Sequence, residues 1–183
     1  MQMMGTARSA YLRAQGATYD ASLRPSAGAP PGYRSLSRSR VLPAGLTFEA
    51  AAGRLLHWRI QRGAGVRVRP SSERVAEGVV VDLVIGLGRL AVTAPCRVVE
   101  VVDVRDADGA AARCGFTYVT LPGHPEAGVE SFTVSRRKDG RSVLTIEAVS
   151  RPATLLTRVG GPLGHLAQQL VTTRYLRALD EPG

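Results

Sequence analysis

Between Val66 and Ser150 the chain is written as valine-rich runs separated by turn residues, and this constrains the fold more than any other feature. "GVRVR" leads into a turn at Pro70–Ser72, and "EGVVVDLVIGLG", "RLAVTAP" and "CRVVEVVDVRDADG" follow. "CGFTYVTL", "VESFTVSRR" and "RSVLTIEAVS" complete the series, with "KDG" as a tight turn between the last two. Branched β-carbons fit the pleated surface of a sheet, and turns this close together join neighbouring strands as hairpins. The expectation is a largely antiparallel meander of six or seven strands. A further extended segment is expected from Arg34 to Leu42.

Two helical patterns flank the meander. In "LTFEAAAGRLLHWRIQRGAG", Thr47 suits an N-cap and Glu49 falls in the first turn, where the helix dipole favours an anion. Phe48, Ala52, Leu55, Leu56 and Ile60 recur at helical spacing, and Gly63 and Gly65 end the run. The spacing predicts one amphipathic helix over this stretch. After Ser150-Arg151-Pro152, the residues Leu155, Val159, Leu163, Leu166 and Leu170 share one face. Gly160, Gly161 and Pro162 interrupt that pattern, which predicts a long C-terminal helix resuming at Pro162 and running to about Leu179. Residues 1–31 read as an irregular N-terminal segment with a short helix around Ser9–Gln15, and residues 32–183 as one domain. A curved sheet with one face covered by a long helix is an α+β sandwich, and strands curling around a helix leave room for an internal cavity. Aromatic residues make up only 5% of the chain, so few large side chains are available to fill it.

Composition excludes several classes of function. The formal charge is +9, carried almost wholly by scattered arginines, with Lys138 the single lysine. No basic tail, zinc module or RNA-binding aromatic motif accompanies that charge, so nucleic acid is not expected as a partner and an Arg- and Ala-rich genome composition is the simpler explanation. No apolar run approaches the ~20 residues that span a bilayer. "MQMMGTARSAYLRAQ" lacks the apolar region of a signal peptide, and Cys96 and Cys114 are too few for a disulfide framework. A cytoplasmic protein with free thiols is expected. "GLGRLA" lies between strands and lacks the helix a phosphate loop requires. No His/Cys set has metal spacing and no GxSxG elbow occurs, so no cofactor and no metal are expected.

Candidate chemistry gathers around "GFTYVTLPGHPEAGVESF". Pro122-Gly123 and Pro125 stiffen the connection that carries His124. That histidine reads either as a loop brace or as a general acid or base, a role its unperturbed pKa near 6.5 suits. Glu130 alternates onto the strand face of Phe132 and Val134; facing inward, its carboxyl would be desolvated and become a proton donor. Facing outward, it would pair with Arg97 or Arg113. Tyr118 shares a face with Phe116 and offers one hydroxyl, for ligand or for core. Trp58 is expected on the sheet or at a cavity mouth. Arg151 braces the "PGHPE" loop through Glu126 or holds an acidic ligand group. Gln168 flanks the leucine stripe of the last helix.

"GATYD", "PPGYRSLSRSR", "FEAAAGRLLHWRIQRGAGVRV", "APCRVVEVVD", "TLPGHPE", "EAVSRPATLLTRVGGPL" and "RYLRAL" occur in this order. Together, over roughly residues 11–179, they resemble a bacterial and plant family known as the domain of unknown function nineteen-ninety. Val119 and "LPAGLTF" depart from it at two places where glycine-containing turns are expected. The resemblance implies a START-like, Bet v 1-like helix-grip fold, in which a curved antiparallel sheet wraps around a long C-terminal helix and encloses an apolar cavity. That superfamily holds lipid carriers, hormone receptors and polyketide cyclases. Three readings follow for this chain. It is a cofactor-independent cyclase or dehydratase of natural-product biosynthesis using His124, Glu130 and Tyr118. Alternatively it is a non-catalytic carrier or sensor of an apolar molecule lined by Trp58, Phe116, Phe132, Arg151 and Gln168, or a structural protein with a filled core.

Overall fold

The computed structural model describes residues 1–20, 25, 28–86, 88, 91–105, 112–153 and 173–179. A helix α1 (Thr6–Ala14) precedes strand β1 (Arg34–Val41), helices α2 (Phe48–Leu55) and α3 (Arg59–Gly63), and strands β2 (Arg67–Pro70), β3 (Val80–Ile85), β4 (Val92–Arg105), β5 (Ala112–Thr120), β6 (Glu126–Arg136) and β7 (Ser142–Pro152). The seven strands form one sheet in the order β1-β7-β6-β5-β4-β3-β2. Every adjacent pair is antiparallel, so β2 to β7 are consecutive hairpins and β1 closes beside β7. The meander expected from the valine runs is present. The final helix expected from Pro162 lies mostly outside the described residues; 173–177 are helical.

Two expectations are corrected. "RLAVTAP" and "CRVVEVVD" belong to a single strand, β4, which passes through Pro95 and carries a bulge between Val98 and Glu100. Proline is tolerated there because of where its missing N–H falls. The Pro95 carbonyl accepts the Leu121 N–H at 3.0 Å, on the β5 side, and the β5 ladder begins only at Cys96. The single helix expected from Phe48 is two helices. Thr47 does cap α2, its hydroxyl accepting the Ala50 N–H. The chain then breaks at Trp58, the one described non-glycine residue with positive φ, at 61°. The break turns the indole inward, where its Nε1–H donates to the Ser72 carbonyl at 3.2 Å and its ring meets Phe116 edge-on at 5.6 Å.

Both faces of the central strands are buried. On the concave face, Cys114, Phe116 and Tyr118 of β5, Phe132 and Val134 of β6 and Leu144 and Ile146 of β7 join α2, α3 and Tyr175 in the main core. On the convex face, Val119, Val129 and Val149 pack against Tyr19. Leu12 of α1 covers Val80 and Leu121 beside them. The N-terminal helix is fastened by charge-assisted bonds: the Arg8 guanidinium grips Asp82 through two nitrogens at 3.0 and 2.9 Å. Arg97 donates to the carbonyls of Leu12, Arg13 and Gln15, satisfying the unpaired end of α1. On the other side, Arg54 of α2 donates to the Leu179 carbonyl at 2.6 Å and Arg40 of β1 to the Leu176 carbonyl at 2.9 Å, holding 173–179 onto the core.

Two glycines make opposite predictions. A Cβ on Gly128 would stand 2.2 Å from the Val149 carbonyl oxygen, so Gly128→Ala must separate β6 from β7 and should cost more than about 2 kcal/mol in denaturant unfolding. Gly53, mid-helix in α2 with nothing within 4 Å of a Cβ, should gain about 0.5–1 kcal/mol as Gly53→Ala in the same assay.

Candidate functional site

The loop between β5 and β6 is a built turn. Leu121, Pro122, Gly123 and His124 close on a bond from the His124 N–H to the Leu121 carbonyl at 3.0 Å, with Gly123 at φ 95°, the third position of a type II turn. His124 then folds back on its own loop. Its Nδ1 lies 2.9 Å from the Glu126 amide nitrogen and 2.8 Å from the Glu126 carbonyl, so either tautomer spends Nδ1 on the Glu126 backbone. Burial pushes the imidazole down to about 4, which keeps it neutral at physiological pH.

Four residues further along β6, Glu130 projects from the concave face. Pairing places Tyr118 of β5 on one side of it and Ala148 of β7 on the other, with Phe116, Phe132 and Ile146 forming the next row across the sheet. The Tyr118 hydroxyl donates to Glu130 Oε2. Tyr175, from the helical turn 173–177, stacks edge-on against Phe132 at 5.5 Å. Phe116 and Phe132 stack at 5.3 Å, and Trp58 caps Phe116, so the carboxyl sits at the margin of an aromatic wall. Burial is the main cause that raises Glu130 to about 7, only partly opposed by the Tyr118 bond. Burial and then the nearby Glu130 charge hold the Tyr118 and Tyr175 phenols well above their ordinary value, and do the same for the Cys96 thiol. Yet Glu130 keeps some accessible surface, unlike Phe132 and Val134 on the same strand face.

The structure thus brings Glu130, Tyr118, Phe116, Phe132 and Trp58 together on the concave side. His124 stands at the loop end of the same two strands, engaged with Glu126. Arg151 is on the opposite face, exposed, its guanidinium 4.9 Å above the Tyr33 ring. Gln168 lies outside the described residues. Val119, where the sequence departs from the family pattern, is also convex, packed in the Tyr19 cluster and away from the carboxyl. Sequence reasoning does not single out Tyr175, and it reads Cys96 only as a free thiol. The tyrosine follows the interrupted helical pattern and carries no local sign that it stacks on β6. Among the described residues no group of three His, Cys, Asp or Glu is placed to hold a metal, and no helix is long and apolar enough to cross a membrane.

A curved seven-stranded antiparallel sheet with a helix pair between its first two strands and a C-terminal helical turn against its concave face is the helix-grip architecture of Bet v 1-like proteins. Solved structures agree. A hypothetical protein, jhp0584, from Helicobacter pylori matches with a TM-score of 0.58 at 10% identity, over 80% of this chain and 86% of that one. Ara h 8.0201 matches at 0.52 and 11% identity, over 81% and 96%, and TTHA0849 from Thermus thermophilus at 0.52 and 12% identity, over 80% and 94%. At such identities the likeness shows the fold. The chain belongs to the family described as domain of unknown function DUF1990, whose profile matches residues 13–178. Comparison with curated proteins finds no match.

The raised carboxyl makes a signed prediction. Between the unfolded value of 4.5 and the folded value of about 7, the folded chain holds a proton that the unfolded chain releases, so stability falls as pH rises through this window. Glu130→Gln keeps an acceptor for Tyr118 and carries no charge. Above pH 7 it should be more stable than the natural protein by roughly 2–3 kcal/mol, a gain that disappears below about pH 4.5. Urea unfolding of both proteins across pH measures the difference.

Proposed function

We propose that this protein binds a small, largely apolar molecule between the concave face of its sheet and the helices that cover it, and that Glu130, oriented by Tyr118, is the polar group the molecule meets. The observation that carries the reading is the Glu130 carboxyl. It stands desolvated beside Phe116, Phe132 and Trp58 yet keeps open surface, and among the described residues no cation neutralises it. A core meant only for stability would place a leucine there, because an uncharged apolar side chain avoids the desolvation cost. The helix-grip fold, whose relatives enclose apolar cavities, supports the same reading.

Two finer functions share this site. In the first, the protein is a cofactor-independent cyclase or dehydratase acting on a polyketide-like substrate. A carboxyl that titrates near 7 is populated in both forms at neutral pH, so Glu130 donates a proton as the acid or removes one as the carboxylate, while Tyr118 fixes the oxygen that does so. The aromatic wall folds and orients the chain. His124, already bound to the Glu126 backbone, sets the loop at the mouth and stays neutral. In the second, the protein carries a lipid-like molecule and Glu130 only hydrogen-bonds its polar end.

Native mass spectrometry of the protein purified from its own host tests the shared reading, with a stoichiometric small molecule as the expected result. A bare protein mass, together with no thermal shift against lipid and polyketide panels, would overturn it in favour of a filled core. Affinity for the extracted ligand should change across pH with a midpoint near 7 in the natural protein and become flat in Glu130→Gln. A catalyst loses turnover in that variant while retaining the ligand; a carrier retains both ligand and transfer.

A further inference from the structure

Helix α1 is additional to the helix pair and C-terminal turn of the helix-grip layout, and it gives the sheet little apolar cover. Of its nine residues only Ser9 and Leu12 are buried. Yet it is clamped at both ends. Arg8 holds Asp82 through two nitrogens, and Arg97 holds the carbonyls of Leu12, Arg13 and Gln15. A helix fixed in this way, with one apolar side chain on the core, is a platform for its other face. There Ala7, Ala10, Tyr11 and Ala14 follow the i, i+3, i+4, i+7 spacing of a helical stripe, and all four are exposed. Tyr11 is 53% exposed, and Met3, just before the helix, 40%.

The same side of the molecule carries a rim of arginines. Val68 of β2 lies in the main core, so Arg67 and Arg69 stand on the convex face, where α1 lies, and both are exposed. Arg69 is paired across the ladder with Asp82, the residue that Arg8 grips. Arg13 reaches the Ser71 hydroxyl at 3.4 Å. The Met4 N–H donates to the Pro70 carbonyl, which brings Met3 to the end of β2. Four arginines therefore border one exposed apolar stripe. The acid among them, Asp82, is nearly buried and neutralised by Arg8. Arg13, Arg67 and Arg69 form no ion pair among the described residues. The sequence has no acid before Asp20 and none between Glu49 and Glu73, and Glu73 is offset by its neighbour Arg74.

An apolar stripe inside a cationic rim suits one kind of surface. An interfacial helix lays such a stripe at the acyl boundary, with arginines on anionic headgroups and a tyrosine ring at the junction. A nucleic acid would answer the arginines but leave the stripe against its phosphates. A second copy would answer the stripe but set two arginine rims face to face. We propose that the outward face of α1, with the rim of Arg13, Arg67 and Arg69, docks this protein on the surface of a bilayer that contains anionic phospholipid. The stripe is short and mostly alanine, so the docking is reversible and depends on salt. The inference concerns the convex side and stands whether or not the concave site holds a ligand.

Sedimentation of the full chain with vesicles tests it. The protein should bind vesicles of phosphatidylcholine with about one-third phosphatidylserine, ignore pure phosphatidylcholine, and be released at about 0.5 M salt. Arg67→Gln with Arg69→Gln should weaken binding about tenfold or more. Arg137→Gln with Lys138→Gln removes the same charge from the turn between β6 and β7 and should leave binding within about twofold. Tyr11→Ser should weaken it about threefold or more at unchanged charge. All these side chains are exposed, so each variant should melt with the natural protein. Equal losses in the two double variants would reduce the effect to net charge and overturn the docking face. Full binding by Tyr11→Ser would overturn it too. Absence of binding to the anionic vesicles overturns the proposal outright. A DNA duplex bound through Arg67 and Arg69 would then assign the face to nucleic acid, and a dimer lost in Tyr11→Ser would assign it to a second copy.

Discussion

A sheet whose middle strands are apolar on both faces must be covered twice. In this protein β5 is buried over nearly its whole length, and the rest of the architecture answers that demand. The concave side receives α2, α3 and the helical turn near the C-terminus. The convex side receives α1 and Tyr19. Burial of apolar surface drives both, but arginines fix where the covers sit. Arg54 and Arg40 hold carbonyls of the C-terminal segment, and Arg97 and Arg8 hold α1. Part of the positive charge that looked like genome composition is therefore structural: Arg40, Arg54 and Arg97 meet backbone oxygens that a helix or loop leaves over, and Arg8 meets Asp82.

The two faces also divide labour. On the convex side Thr117 meets Glu100 and Ser131 in a row of side-chain bonds. The concave side instead sets the desolvated Glu130 carboxyl beside the Phe116–Phe132 stack. There a desolvated carboxyl is kept at a cost in stability.

What the sequence made legible follows from range. Strands, turns and the concave face of β6 were readable because alternation, valine content and the Pro-Gly, Asp-Gly and Gly signals act over a few residues. The placement of Glu130 beside Phe132 and Val134 needed only the two-residue period of a strand. The break at Trp58 was not readable, because a left-handed tryptophan is stabilised by Ser72 and Phe116, far along the chain. Pro95 suggested the end of a strand, since nothing local shows that β5 has turned away on that side. Arg151 looked poised for the loop or a ligand, but strand parity puts it over Tyr33.

The strand order has a consequence for how the chain is made. β1, the earliest strand of this sheet in the chain, pairs along its whole length with β7, the latest. Tyr19, older still on a growing chain, packs against Val119, Val129 and Val149, none of which exists until most of the protein has been translated. The early segments must therefore wait, unpaired, while β2 to β6 assemble as local hairpins. Closure is a late step across a large loop, slow by the measure of contact order. During that wait β1 is an open edge, and its alternating serines and arginines, "RSLSRSR", keep it soluble and discourage pairing with a neighbour's strand.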